Sequence, residues 1–368
     1  MASNKIKKIL FFFDSRATFS YSNNIIKVFK KYKKSYSILI SGNYLEKEMK
    51  INNKLFKKNN LKINYKVKFG SPGKNLYTWP KNFGEAIIRY SKKLNTIKPD
   101  LVVLTGDRIE TLAFCITCTY MNIPLAHVQA GDKSGHVDDL SRSVLSKFCH
   151  LHFAPSKNAC ERLKLWGEEK KRIYFTGAPQ LDDFKNIKAK ANENYVVIFH
   201  PVLNEHKMVK KQIYSLISAI NYTNLSATWI YPNNDLGYKV ILKELKRIKN
   251  KKIKLISNLE RSDFLKLLSN SSGMIGNSSS GIIEASMFKK PVINIGNRQN
   301  GRPQSKNIIN SNYSKKEIIK KINFIKNNKN FLKNCASCKN PFFKKNSSEM
   351  IFKIINSLKK NDKILVKY

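Results

Sequence analysis

The chain has 368 residues, 42% hydrophobic and 11% aromatic, which suffices for two ordered cores and excludes wholesale disorder. Its formal net charge is +44, yet only ten of the 69 basic residues are arginine. The lysines are dispersed over the predicted helices and accompany abundant asparagine and isoleucine. That pattern reads as a solvated coat rather than a nucleic-acid arm, and no apolar run approaches the roughly 18–20 residues that span a bilayer.

Residues 5–13 carry a five-residue apolar stretch that runs into Asp14 and Arg16 without a small-residue cleavage site. They read as a first strand rather than a signal peptide, so a cytoplasmic protein is expected. Apolar, β-branched runs then alternate with helical spacing. Strands are predicted at 8–14, 36–42, 100–105, 125–130, 151–155 and 173–177, with helices at 109–120 and 157–165. A second series predicts strands at 195–200, 227–231, 253–257, 273–276 and 291–295, with helices at 210–220 and 263–268. Near-continuous apolar strands separated by helices predict α/β architecture with parallel sheets covered on both faces. The polar stretch 182–194 interrupts the series, which gives one domain over 1–182 and another over 193–345. Cys115 and Cys118, like Cys335 and Cys338, form Cys-x-x-Cys pairs, but the two pairs lie too far apart for a zinc ribbon. They read as small buried hydrophobes, and no metal is expected.

Ligands in such sheets bind at the carboxyl ends of the strands, so the loops there carry the functional reading. Asn277-Ser-Ser-Ser-Gly281 follows a strand and opens a helix. The hydroxyls of Ser278, Ser279 and Ser280 and the amide of Gly281 suit an anion, and equally suit a plain helix cap. Glu284, one turn on, can accept from a ribose diol or simply favour the helix start. Arg298 and Arg302 follow the next strand and Arg16 follows the first, supplying the guanidinium donors a diphosphate calls for. Neither a P-loop nor a dinucleotide fingerprint is present, which argues against a dinucleotide cofactor. In a chain with only 25 acidic residues, Asp107, Asp138, Asp139 and His200 gather in such loops. Paired carboxylates can divide acid and base duties, and a histidine titrates near neutrality. The alternatives are that Asp107 pairs with Arg108 and that Asp138 or Asp139 caps a helix reading towards Arg142. His127 ends a buried strand and is a lesser candidate; His150 and His152 read as packing. No Gly-x-Ser-x-Gly elbow supports serine hydrolase chemistry.

Taken in order, Gly106-Asp-Arg-Ile-Glu110, Ile123-Pro-Leu-Ala-His127, Gly131-Asp-Lys-Ser-Gly-His-Val-Asp-Asp139, Arg142, His150-Leu-His-Phe153, Phe199-His-Pro-Val202, Asn277-Ser-Ser-Ser-Gly-Ile-Ile-Glu-Ala285 and Pro291-Val-Ile-Asn-Ile-Gly-Asn-Arg-Gln-Asn-Gly-Arg302 resemble the hydrolysing UDP-N-acetylglucosamine 2-epimerases. The similarity is nearest to the sialic-acid branch. It implies a GT-B fold, with two Rossmann-like parallel-sheet domains facing a central cleft and a C-terminal segment, 346–368, whose helix crosses back to the first domain. It also implies a reaction without metal or cofactor. The proton at C2 of the sugar is removed while the nucleoside diphosphate leaves C1; water adds to the resulting glycal, and C2 is reprotonated on the other face.

By position, Asp107, Asp138 and His200 match the family's catalytic groups, and Arg16, Ser278, Glu284 and Arg302 its nucleotide contacts. Gln129 stands where many relatives carry a carboxylate, which brings Gln129 and Asp132 into the expected catalytic set. Arg108, Asp139 and Arg142 join the expected substrate contacts. Asp14 and Thr18 alter the usual small-residue first loop. The expected substrate is UDP-N-acetylglucosamine or a UDP- or GDP-linked 2,4-diacetamido sugar, feeding nonulosonic acid synthesis, and a homodimer is expected by analogy. The alternative is a GT-B glycosyltransferase working at a membrane surface.

Overall fold

A computed structural model of the chain describes residues 4–45, 56, 58–69, 77–135, 138–186, 192–233, 235–257 and 259–367; at 16, 17, 43, 44, 138, 185 and 186 the backbone alone is described. The chain divides into two compact units, Met1–Asp132 with Asp138–Asp183 and Phe342–Tyr368, and Lys133–Val137 with Phe184–Pro341.

The first unit is built on strands β1 (Ile9–Phe13), β2 (Ser37–Ser41), β3 (Tyr65–Val67), β4 (Leu101–Thr105), β5 (Leu125–Val128), β6 (Leu151–Ala154) and β7 (Ile173–Phe175). They pair in parallel in the order β3-β2-β1-β4-β5-β6-β7. Successive side chains of a strand point to opposite faces, so the wholly apolar β1 feeds two cores. Phe11 and Phe13 pack with Phe19 and Phe29 on one face, while Leu10 and Phe12 pack with Tyr90 and Phe114 on the other. Phe12 and Phe114 stack with centroids 4.1 Å apart. Cys115 and Cys118 are buried in that second core.

The second unit contains β8 (Tyr195–Ile198), β9 (Ala227–Ile230), β10 (Ile253–Ile256), β11 (Gly273–Gly276), β12 (Val292–Ile295) and β13 (Ile308–Ser311). Their order is β10-β9-β8-β11-β12-β13, again parallel. Val197 joins one core with Trp229 and Ile275; Val196 and Ile198 join another with Met274 and Val292.

Several boundaries differ from the sequence expectation. β5 stops at Val128 because Gln129 takes a left-handed backbone, φ 68°. The edge strands β3 and β13 have no counterpart among the predicted strands, being short and partly polar. The first unit's core sequence ends at Asp183 rather than 182, and the expected boundary stretch includes 187–191, outside the described residues. The C-terminal segment joins the first unit from Phe342 rather than 346, because the Phe342 carbonyl accepts from the Ala178 amide at 2.8 Å and Lys344 donates to the Phe175 carbonyl at 2.7 Å. Its helix, Ser347–Ser357, sets Phe352 edge-on to Phe29 at 4.9 Å, and Asp182 accepts from the amides of Ser347 and Ser348. Among the described residues no helix is long and apolar enough to cross a membrane.

The chain end is fastened by charge. Lys367 donates to the carbonyls of Ser146 and Cys149 and to Glu168, at 2.7, 2.8 and 2.7 Å. Glu168 is buried, and burial pushes its pKa up, but its bonds to His152 and Lys367 outweigh that and hold it at about 2. Lys367→Met keeps the aliphatic stem and strips a buried carboxylate of one partner. It should cost about 3 kcal/mol of stability at pH 7 in urea unfolding; an unshifted midpoint would show the contact to be idle.

Candidate functional site

In each unit the sheet has one place where the strand order reverses, and the loops on either side diverge to leave a notch at the carboxyl edge. In the first unit this lies between β1 and β4. Asp14 follows β1, Gly106, Asp107 and Arg108 follow β4, and Gln129 to Asp132 follow the neighbouring β5. In the second unit it lies between β8 and β11, so His200 and Asn277 sit side by side, with Arg298 and Arg302 beyond β12. The predicted site residues thus fall into two clusters, one per unit.

The acidic cluster is organised by Arg142, only 4% exposed, on the helix Asp138–Phe148. Its guanidinium pairs with Asp107, with Asp139 at 2.5 Å, and with the Asp132 carbonyl at 2.9 Å. Asp107 therefore does not pair with Arg108; Arg108 engages Glu110 instead, at 3.3 Å. An arginine fork suits this task because its charge is permanent and its donors lie in one plane. Asp132 is buried. Asp138 opens the helix next to Asp139, and its side chain lies outside the described residues, as does that of Arg16, which opens the helix Arg16–Lys31. Gln129 is buried and donates to Gln180 at 3.1 Å, a partner not anticipated from sequence.

The second cluster is built around Asn277. Its side chain accepts from the His200 amide at 2.7 Å and donates to the His200 carbonyl at 2.8 Å, stitching the loop after β8 to the loop after β11. Its own carbonyl accepts from Arg298 at 3.0 Å and from Gln299 at 2.9 Å; Gln299 in turn receives Arg302. Ser278 caps the helix through the Ser280 amide at 3.3 Å. That helix spans only Ser279–Ile283, too short for a large macrodipole, and the Gly281 amide expected to face an anion donates instead to the Ser278 carbonyl at 3.1 Å, which leaves the serine hydroxyls and the two arginines as the groups able to meet one. The His200 Nδ1 accepts from the Asn233 amide at 3.1 Å. A neutral ring so engaged carries its proton on Nε2 and presents a donor, not a base, on that side. Glu284 is not one turn inside a long helix but at the end of the short one. It is buried and paired with Arg261 at 2.5 Å. Arg261 opens the helix Arg261–Asn270, and only the fold shows its connection to Glu284.

A family model described as UDP-N-acetylglucosamine 2-epimerase matches residues 27–356. The chain belongs to that family. A Legionella pneumophila relative, named as a hydrolyzing UDP-N,N'-diacetylbacillosamine 2-epimerase, is 37% identical over 243 residues, covering 62% of this chain and 64% of its own length. The match thus spans just under two thirds of that protein. A Campylobacter jejuni relative, named as a hydrolyzing GDP/UDP-N,N'-diacetylbacillosamine 2-epimerase, is 34% identical over 295 residues, 75% of this chain and 77% of its own. The S. aureus MnaA–UDP co-structure superposes with a TM-score of 0.79 at 19% identity, over 94% of this chain and 95% of that one. The fold is GT-B, as the resemblance implied.

In this 2-epimerase family member the first loop carries its own buried acid. Asp14 is fully buried and accepts from the hydroxyls of Thr111 at 2.6 Å and Thr18 at 3.1 Å. Burial, and next the charge of Glu110, push its pKa to about 6, against the pull of Arg108, Thr111 and Ser15. The folded chain therefore holds a proton at Asp14 that the unfolded chain releases near pH 4, and this contribution to stability is lost as pH rises from about 4 to 6. Asp14→Asn cannot ionise, so its stability should gain on the wild type across that window by up to about 3 kcal/mol. Parallel stability curves from pH 4 to 7 would contradict this.

Proposed function

We propose that the chain is a hydrolysing nucleotide-sugar 2-epimerase, acting on a UDP- or GDP-linked 2-acetamido or 2,4-diacetamido sugar and releasing the nucleoside diphosphate and the free manno-configured sugar. The observation that carries the reading is the division of chemistry between the two switch points, carboxylates gathered by Arg142 at one and an arginine- and serine-lined anion loop at the other. The names of the two relatives support the reaction class and the choice of amino sugar. A glycosyltransferase of the same fold has less support, since those relatives carry 2-epimerase names.

The chemistry assigns the roles. Elimination breaks C2–H and C1–O and forms the C1–C2 double bond. Hydration then adds the hydroxyl of water at C1 and its proton at C2, on the face opposite to the one deprotonated. A carboxylate among Asp107, Asp138 and Asp132 takes the C2 proton and another group returns one from the other side. Arg142, Arg108 and Asp139 hold the acids and the sugar. Ser278, Ser279, Ser280, Arg298, Arg302 and Arg16 stabilise the departing pyrophosphate, and Glu284 accepts the ribose diol. His200, with its donor on Nε2, serves the leaving group rather than C2. The free sugar is then a precursor for nonulosonic acid synthesis.

Turnover in D₂O should give free sugar deuterated at C2 together with free nucleoside diphosphate; a sugar that keeps protium at C2, or no release from any of these donors, would sink the proposal. Asp107→Asn should lower kcat by roughly 10²–10⁴-fold while calorimetry finds unaltered nucleoside diphosphate binding. Arg302→Ala should do the opposite, weakening that binding by about 1.5–3 kcal/mol. Equal losses of both properties in both variants would erase the division of labour.

A further inference from the structure

His127 lies in β5 with no exposed surface, paired in register with Leu104 of β4. Its Nε2 stands 2.7 Å from the carbonyl oxygen of Gly106, the residue before Asp107. A carbonyl only accepts, so Nε2 carries the hydrogen. Burial pulls the ring's pKa down to about 4, against the Gly106 hydrogen bond and with the help of neighbouring His152. The ring is therefore neutral near pH 7, its proton committed to Nε2. Its Nδ1 is buried without a hydrogen-bond partner among the described residues. A side chain present for packing alone would avoid that cost of about 1–3 kcal/mol; the one bond this ring makes goes to the loop.

The loop needs such a fastening. Gly106 sits at φ 85°, and a Cβ there would lie 2.8 Å from the Thr18 methyl carbon. Glycine is thus required at the position where the chain turns towards Asp107, and glycine is the residue least able to hold its own conformation. Arg142 holds the Asp107 side chain, while nothing in glycine's own chemistry fixes the preceding peptide.

We infer that His127 is a positioning residue, whose Nε2–H holds the Gly106 peptide and so fixes the backbone from which Asp107 reaches the sugar. The inference rests on the reading of Asp107 as a reacting carboxylate. Behind His127, its register partner His152 is bonded to Glu168 at 3.0 Å, and Lys367 joins that carboxylate. The ring is thereby backed by a fixed polar row rather than by mobile solvent.

The test compares two full-length variants on the donor that the wild type turns over. His127→Leu should lower kcat by roughly tenfold to a hundredfold with KM and nucleoside diphosphate affinity unchanged. His127→Gln, which keeps an N–H donor near the Nε2 position, should recover most of the loss. A leucine variant with wild-type kcat, or a glutamine variant as impaired as leucine, would overturn the inference. Nitrogen-15 spectra of the histidines supply a readout that needs no substrate. The His127 ring, assigned as the signal missing from the leucine variant, should stay in the Nε2–H form from pH 7 down to pH 5, and protonation of that ring on Nδ1 would overturn the inference. Failure to turn over any donor sugar would instead remove the proposed function, leaving the spectra to decide the loop contact.

Discussion

One guanidinium gives the acidic cluster its order. Like charges brought together repel and raise each other's pKa, so carboxylates collected at a sheet edge need a buried cation among them. Arg142 supplies it, on a helix that follows β5, and its planar fork reaches the loop after β4, the loop after β5 and the start of its own helix together. Without it, Asp107 and Asp139 would be two acids near a strand end. With it, they are fixed in direction in a half-buried setting.

The two sheets do the same for position. Each reverses its strand order once, and each reversal brings together loops that are far apart in sequence: Asp14 with Gly106 in the first unit, His200 with Asn277 in the second. The chain enforces this cheaply. Apolar residues on both faces of β1 and β8 leave those strands no choice but the middle of a sheet, and the polar residues at their ends are then delivered to the edge.

The central strands were legible in the sequence for that reason: Ile9 to Phe13 can be soluble only if buried on both faces. The edge strands β3 and β13 were not, since a three- or four-residue strand with one exposed face carries no such compulsion. The gathering of acids at the candidate site was legible too, because acids are scarce in this chain and their collection in loops stands out. Its wiring was not. Asp107 has Arg108 beside it in sequence yet pairs with Arg142. Glu284 reads as a helix-start acid yet meets Arg261 from the start of another helix. His127 reads as a strand end yet bonds a carbonyl two loops away. Such pairings depend on strand register and on which way each loop turns, and residue type records neither.

If the acidic cluster works on the sugar carbons while the anion loop releases an intact diphosphate, the bond that breaks is C1–O, not P–O. Turnover in [¹⁸O]water, read by the mass of the released nucleoside diphosphate, tests this directly. The account predicts a diphosphate without ¹⁸O. One ¹⁸O atom on its terminal phosphate would mean that water attacks phosphorus, and would contradict it.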